Sequence, residues 1–181
     1  MRNILLLNEG YASLITDNVK DRDERTISYW ILPIAMRHLK IDEWTEIHST
    51  RITSRKRMER FITDNLSNDA RLIVITKSFG GYEFKKFLDS NQEMLASYRE
   101  VIWISIDPHG FLWQWDKKTI PINQPRNMTT YNFYQHQRFP RGAHFLGADI
   151  NHDVTREGMN HWAIIRDKEV LSLIKEIISN A

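Results

Sequence analysis

Ser78, Asp107 and His161 are of the right types, and in the right order along the chain, to act on one another. A serine hydroxyl is a poor nucleophile near neutral pH. It becomes a competent one when an imidazole within hydrogen-bond reach takes its proton, and a carboxylate fixes the tautomer of that imidazole and offsets its charge. Ser78 lies in "VITKSFGGYEF", Val74 to Phe84, where an apolar run breaks into a serine and two glycines. Asp107 follows the apolar run "EVIWISI", and His161 shortly precedes an amphipathic segment at the C-terminus. All three are therefore expected at strand ends of a parallel sheet, where chemistry collects. The order Ser, Asp, His is the one expected for a nucleophilic triad on such a sheet.

The neighbouring small residues have physical roles in this reading. A serine on a tight turn from strand to helix has a strained backbone, and its neighbours must be small to avoid strand and helix. Gly80 meets that need on the helix side, and Gly81 lets the helix pack close to the sheet. The N–H of Phe79, at the helix start, then faces a developing oxyanion with the helix dipole behind it. A second donor is offered by "LLLNEGYAS", in which Gly10 permits the backbone angles that turn the N–H of Tyr11 inward.

Each residue also has a plainer reading. Ser78 can be a helix N-cap and nothing more. His161 is one of seven histidines. His109, His136, His144 and His152 suit surface or core positions equally, and His152 is a rival base. Asp107 can be an Asp-Pro turn residue, with Asp149 and Asp153 as rival acids. Trp113 and Trp115 either roof a substrate pocket or cover a sheet edge. His144, Asp149, His152 and Asp153 lie close in sequence, but their spacing fits no helical ligand pair, so no metal and no other cofactor is expected.

These residues must be positioned by strands and helices that the hydrophobic pattern makes legible. Strands are expected at Asn3–Leu7, "EWTEIHS", "RLIVIT", "EVIWISI" and "MTTYNFYQ", with "AHFLGADI" as a further one. Continuous, branched runs such as "RLIVIT" suit strands buried on both faces. Helices are expected over "ERTISYWILPIAMRHLK", where Pro33 either kinks the helix or starts a second one, and over "SRKRMERFITDNL". In the latter Met58, Phe61, Ile62 and Leu66 share one face. "GGYEFKKFLDSNQEMLASY" reads as one helix, and Val170, Leu173, Ile174, Ile177 and Ile178 mark the last. This alternation predicts an α/β chain, a three-layer α/β/α sandwich around a mostly parallel sheet.

Length and composition bound the function. A chain of 181 residues forms most economically one domain, residues 1–181. The absence of cysteine excludes disulfides, cysteine–zinc sites and a cysteine nucleophile. The apolar run Ile4–Leu7 is too short for a signal-peptide core or a membrane span, so a cytoplasmic protein is expected. The net charge is only +2, and the basic cluster in "TRITSRKRMER" reads as a solvated helix face rather than a nucleic-acid surface.

Taken together, the chain resembles a small α/β-hydrolase reduced to sheet and helices, without a large lid. "NEGY" resembles the oxyanion loop, "TKSFGG" the nucleophile elbow, "SIDPHG" an acid-bearing strand end and "NHWAIIRDKEV" the histidine segment. "TTYNFYQ" resembles the strand between acid and histidine. The resemblance implies a Ser78–His161–Asp107 triad that cleaves an ester or related acyl bond of a small molecule through an acyl-enzyme, and it places Asp107 ahead of the other acids. Thr76 stands where the family's G-x-S-x-G pattern has its first glycine, and the acid lies one strand earlier than is commonest there. Two other functions fit the same residues: a phosphate- or nucleotide-binding domain with "KSFGG" at a helix start, and a binding protein that keeps the framework without activity. Neither the substrate's identity nor the oligomeric state is legible from the sequence.

Overall fold

In the computed structural model, which describes residues 1–10, 26–48, 54–109, 119–137 and 141–181, the long apolar runs pair into one six-stranded sheet. Its centre is β1 (Arg2–Glu9), β3 (Ala70–Lys77) and β4 (Glu100–Ile106). β2 (Glu43–His48) flanks β1, while β6 (Met128–Tyr134) and β8 (Ile150–Asp153) follow β4 on the other side. Every pairing in this sheet is parallel. A separate parallel pair joins β5 (Thr119–Pro121) to β7 (His144–Leu146).

The two-residue period of a strand sends alternate side chains into two cores. Ile4, Leu6, Leu72, Val74, Val101 and Trp103 pack with residues of α3 (Ser54–Asp64), α4 (Phe79–Ser90) and α5 (Gln92–Ala96). Leu5, Leu7, Ile73, Ile75, Ile102 and Ile104 pack instead with α1 (Ile27–Trp30), α2 (Leu32–His38) and α6 (Lys168–Ser179). Because helices lie over both faces, β3 is buried along its whole length. That double cover is why its sequence is continuously apolar rather than alternating.

The structure decides between the two alternatives for Pro33 and changes two other expectations in detail. Pro33 starts a second helix: it sits in the first turn of α2, where its missing N–H leaves no bond unmade. The single helix expected after Gly80 is two, because the backbone leaves helical geometry at Asn91, whose side-chain amide donates to the Phe87 carbonyl at 2.8 Å. The strand expected over "AHFLGADI" is also two pieces in different sheets. Gly147, with φ 104°, turns the chain between β7 and β8.

The strand order places the switch point of the sheet between β1 and β3. From β1 the chain crosses to β2 through α1 and α2 on one face, then returns past β1 to β3 through α3 on the other. Connections of one hand change face when the direction of travel reverses, and the crevice left at the carboxyl ends of the two diverging strands is where ligands bind in open α/β sheets. Gly10 and Ser78 are the residues that follow β1 and close upon β3 at that crevice. Among the described residues, no helix is long and apolar enough to cross a membrane.

Candidate active site

Two non-glycine residues among those described have positive φ, and both stand at adjacent strand ends. Ser78, after β3, has φ 60° and ψ −134°; Asp107, after β4, has φ 49°. Such angles cost of order 1–3 kcal/mol each and persist only where the surroundings over-determine them. Here the backbone is tied on several sides. The N–H of Ser78 donates to the Ile106 carbonyl at 2.9 Å, its own carbonyl accepts from Gly81 N–H at 3.1 Å, and Asp107 N–H donates to the Phe133 carbonyl at 2.6 Å.

The glycines around Ser78 are required by close approach. A Cβ on Gly80 would lie 2.2 Å from the carbonyl oxygen of Asn8, so α4 touches the end of β1 there without room for a methyl group. A Cβ on Gly81 would meet Pro108 Cβ at 2.9 Å and Ser105 Oγ at 3.0 Å. One on Gly10 would fall 2.6 Å from the Phe79 nitrogen and 2.7 Å from Ser78 Oγ. The missing side chain of Gly10 therefore leaves the space that adjoins both the serine oxygen and the first amide of α4. The Thr76 side chain lies beneath the first turn of α4, its Oγ1 3.4 Å from where a Cβ on Gly81 would stand. Its hydroxyl is buried and accepts from the indole Nε1 of Trp103 at 2.9 Å.

Asp107 has no exposure to water and is satisfied by three donors. Oδ1 accepts from the Gln135 backbone N–H at 3.1 Å; Oδ2 accepts from the Gln135 side-chain amide at 3.3 Å and lies 2.7 Å from His161 Nδ1. Gly142 completes the enclosure, since a Cβ there would sit 2.0 Å from Asp107 Oδ1. His161 is itself buried, in the turn ahead of a 3₁₀ segment, Ile164–Arg166, that leads into α6.

The imidazole that meets the serine is a different one. Ser78 Oγ lies 2.7 Å from Nε2 of His109, and Ser78 is not hydrogen-bonded to His161. The two imidazole rings are neighbours, 5.1 Å between centroids at 56°. The structure thus brings Ser78, Asp107 and His161 to one end of the sheet and adds His109, whose ring touches the hydroxyl and lies beside the ring of His161. The sequence did carry a signal for His109. It stands two residues after Asp107, so a tight turn at the β4 tip folds it back over the tip of the adjacent β3.

The rival residues are occupied elsewhere. Asp149 Oδ2 accepts from the Thr130 N–H and from the Gln124 amide, both at 2.7 Å. Asp153 accepts from the Thr155 N–H at 2.9 Å and lies 3.7 Å from His136. His152 is half-exposed beside Glu169, and His144 lies against the edge of Tyr134. Tyr11, expected as the second oxyanion donor, and Trp113 and Trp115, expected as a pocket roof, lie outside the described residues. One buried group escaped the sequence reading. Lys77, the residue before the serine, is buried with its ammonium 5.4 Å from the Trp162 ring centroid.

Chemically, the arrangement offers a hydroxyl on a strained turn, an imidazole in contact with it, and a second imidazole whose tautomer is set by a buried carboxylate. It also places the amide at the head of a 12-residue helix beside the same hydroxyl. No protein-family model, curated protein or solved structure matches the chain.

Proposed function

We propose that this chain is a serine hydrolase of the minimal α/β-hydrolase type, cleaving an ester or related acyl bond of a small molecule through an acyl-enzyme. The observation that carries this reading is the strained Ser78 turn at the switch point of the sheet, with its hydroxyl 2.7 Å from Nε2 of His109 and the ring of the Asp107–His161 pair beside that imidazole. A helix N-cap needs no positive φ, and Ser78 makes no side-chain cap bond to α4.

In this reading Ser78 Oγ attacks the acyl carbon while its proton passes to Nε2 of His161. Asp107 keeps the Nδ1 proton of that ring, so the lone pair stays on Nε2 and the imidazolium is stabilised once formed. The oxyanion of the tetrahedral adduct occupies the space above Gly10, faced by the Phe79 amide. Collapse of the adduct expels the leaving group, which takes the proton from His161. Water then repeats the sequence on the acyl-serine and returns the hydroxyl to Ser78.

The alternative readings draw less support. Atoms of Asn8, Pro108 and Ser105 fill the space beside Gly80 and Gly81, so these glycines make helix-to-sheet contacts instead of cradling a phosphate. Thr76, the one feature favouring an inactive framework, directs its hydroxyl to Trp103. The direct test is Ser78→Ala. The variant is expected to lose both turnover of a short p-nitrophenyl ester and labelling by a fluorophosphonate. Labelling that persists in it would assign the nucleophile elsewhere.

A further inference from the structure

Ser78 and His109 are joined twice. The imidazole Nε2 meets the hydroxyl at 2.7 Å, and the His109 backbone N–H donates to the Ser78 carbonyl at 3.4 Å. The turn that carries His109 is held at its start. Its first residue is the strained Asp107, and its second, Pro108, would be only 2.9 Å from a methyl group on Gly81 in the first turns of α4. His109 is buried, and its ring lies beside that of His161. A side chain fixed this firmly on the nucleophile has a place in the reaction that a Ser–His–Asp triad leaves unassigned.

We propose that His109 is a positioning residue for the nucleophile: its Nε2–H donates to Ser78 Oγ and so turns the hydroxyl's own proton toward His161. The inference rests on the serine-hydrolase reading above. A hydroxyl has one proton to give and lone pairs with which to accept. If Oγ accepts from His109, its proton is left for a second acceptor, and the neighbouring imidazole is the one whose tautomer Asp107 prepares. The opposite tautomer of His109 would consume the serine proton and leave His161 with none to take, so the two assignments exclude each other. As the proton leaves for His161 and negative charge grows on Oγ, the bond from His109 becomes charge-assisted and strengthens. His109 keeps its own proton throughout; the proton that moves is that of Ser78.

The test uses His109→Gln, whose amide N–H has about the reach of Nε2 but cannot act as a base, and His109→Met, which has similar length and no donor. The second-order rate of fluorophosphonate labelling is measured together with kcat and KM on a short p-nitrophenyl ester. His109→Met is expected to label and turn over about 10- to 100-fold more slowly with KM unchanged, the usual effect of one hydrogen bond to a charged centre. His109→Gln is expected to recover most of that rate. If His109→Met fails to fold, His109→Asn, whose amide stops short of Oγ, replaces it with the same expected loss. Equal loss in His109→Gln and His109→Met would make the imidazole itself the proton acceptor and overturn the assignment. A rate in His109→Met equal to or above that of the unchanged protein would overturn it too. Failure of the unchanged protein to label at all is a different result, which removes the serine-hydrolase reading and this inference with it.

Discussion

A carboxylate shut off from water is stable only if donors replace its hydration. Asp107 meets that condition through the two N–H groups of Gln135 and through His161. The Gln135 backbone N–H on Oδ1 would be satisfied equally by a neutral amide oxygen; the Gln135 side-chain amide and His161 both face Oδ2, and they distinguish acid from amide. In Asp107→Asn the side-chain NH2 turned toward His161 would favour the tautomer with its lone pair on Nδ1, leaving Nε2 protonated and unable to accept. For the proposed hydrolase the expected result is a folded protein whose kcat falls on the order of 10³- to 10⁴-fold, the loss that accompanies a reversed tautomer in a Ser–His–Asp triad. Steady-state kinetics beside a circular dichroism spectrum would check both halves of that expectation.

At the scale of elements, α4 and α6 hold the site from opposite faces of the sheet. The first turn of α4 rests on the end of β1 through Gly80, with the Asn8 carbonyl 2.2 Å from where a Cβ would stand. That contact is backbone, which cannot swing aside. Gly80→Ala should therefore push the helix off the strand, lower stability by about 1–3 kcal/mol as overpacking does, and displace Ser78. A depressed melting temperature together with lost fluorophosphonate labelling is the expected pair of readings. The start of α6 depends on Asp167, whose side chain accepts from the N–H groups of Glu169 and Val170.

Burial works to raise the Asp167 carboxyl, but hydrogen bonds from Arg156 and from the Val170 and Glu169 amides outweigh it and leave the group below its ordinary 3.8. A carboxyl depressed on folding stabilises the protein above its unfolded value, and that contribution is lost as pH falls through the lower, folded one. Asp167→Ala should cost about 0.5–2 kcal/mol at neutral pH, as for other lost N-caps. The gap between the two proteins should narrow on acidification below 3.8, measured by thermal melts at both pH values.

For the molecule as a whole, the two cores are separate, each sealed between the sheet and its own helices. Among the described residues Trp103 is the largest fully buried side chain, and it ties β4 to three other elements. Its ring lies 4.9 Å from Phe84 of α4 and 4.9 Å from Phe145 of β7, and its indole N–H is bonded to Thr76 on β3. Trp103→Ala should cost about 3–5 kcal/mol, the range for large aromatic deletions, and leave the Thr76 hydroxyl without its donor. Denaturant unfolding at a lower midpoint with an unchanged slope would fit a loss of packing in a structure that still unfolds as one unit.

The contrast between sequence and tertiary structure follows from the range of the forces involved. Burial on both faces demands an uninterrupted apolar run, so β1, β3 and β4 were legible residue by residue, and the four-residue periodicity of α6 was as plain. The small residues after Ser78 likewise marked a turn pressed between strand and helix, whatever its chemistry. These are local consequences of local pattern. Which side chains meet across the strand tips is set by strand order and by two strained turns, and no periodicity encodes either. Asp107 and His161 are 54 residues apart when they bond, and Ser78 and His109 are 31 apart. Likewise the break at Asn91 and the division of β7 from β8 were settled by side-chain bonding and by a glycine turn, which interrupt a hydrophobic pattern that continues through them. The sequence alone thus determined an apolar sheet ending in a glycine-flanked serine; folding decided which imidazole that serine touches, because only packing brings distant strand ends within the reach of a hydrogen bond.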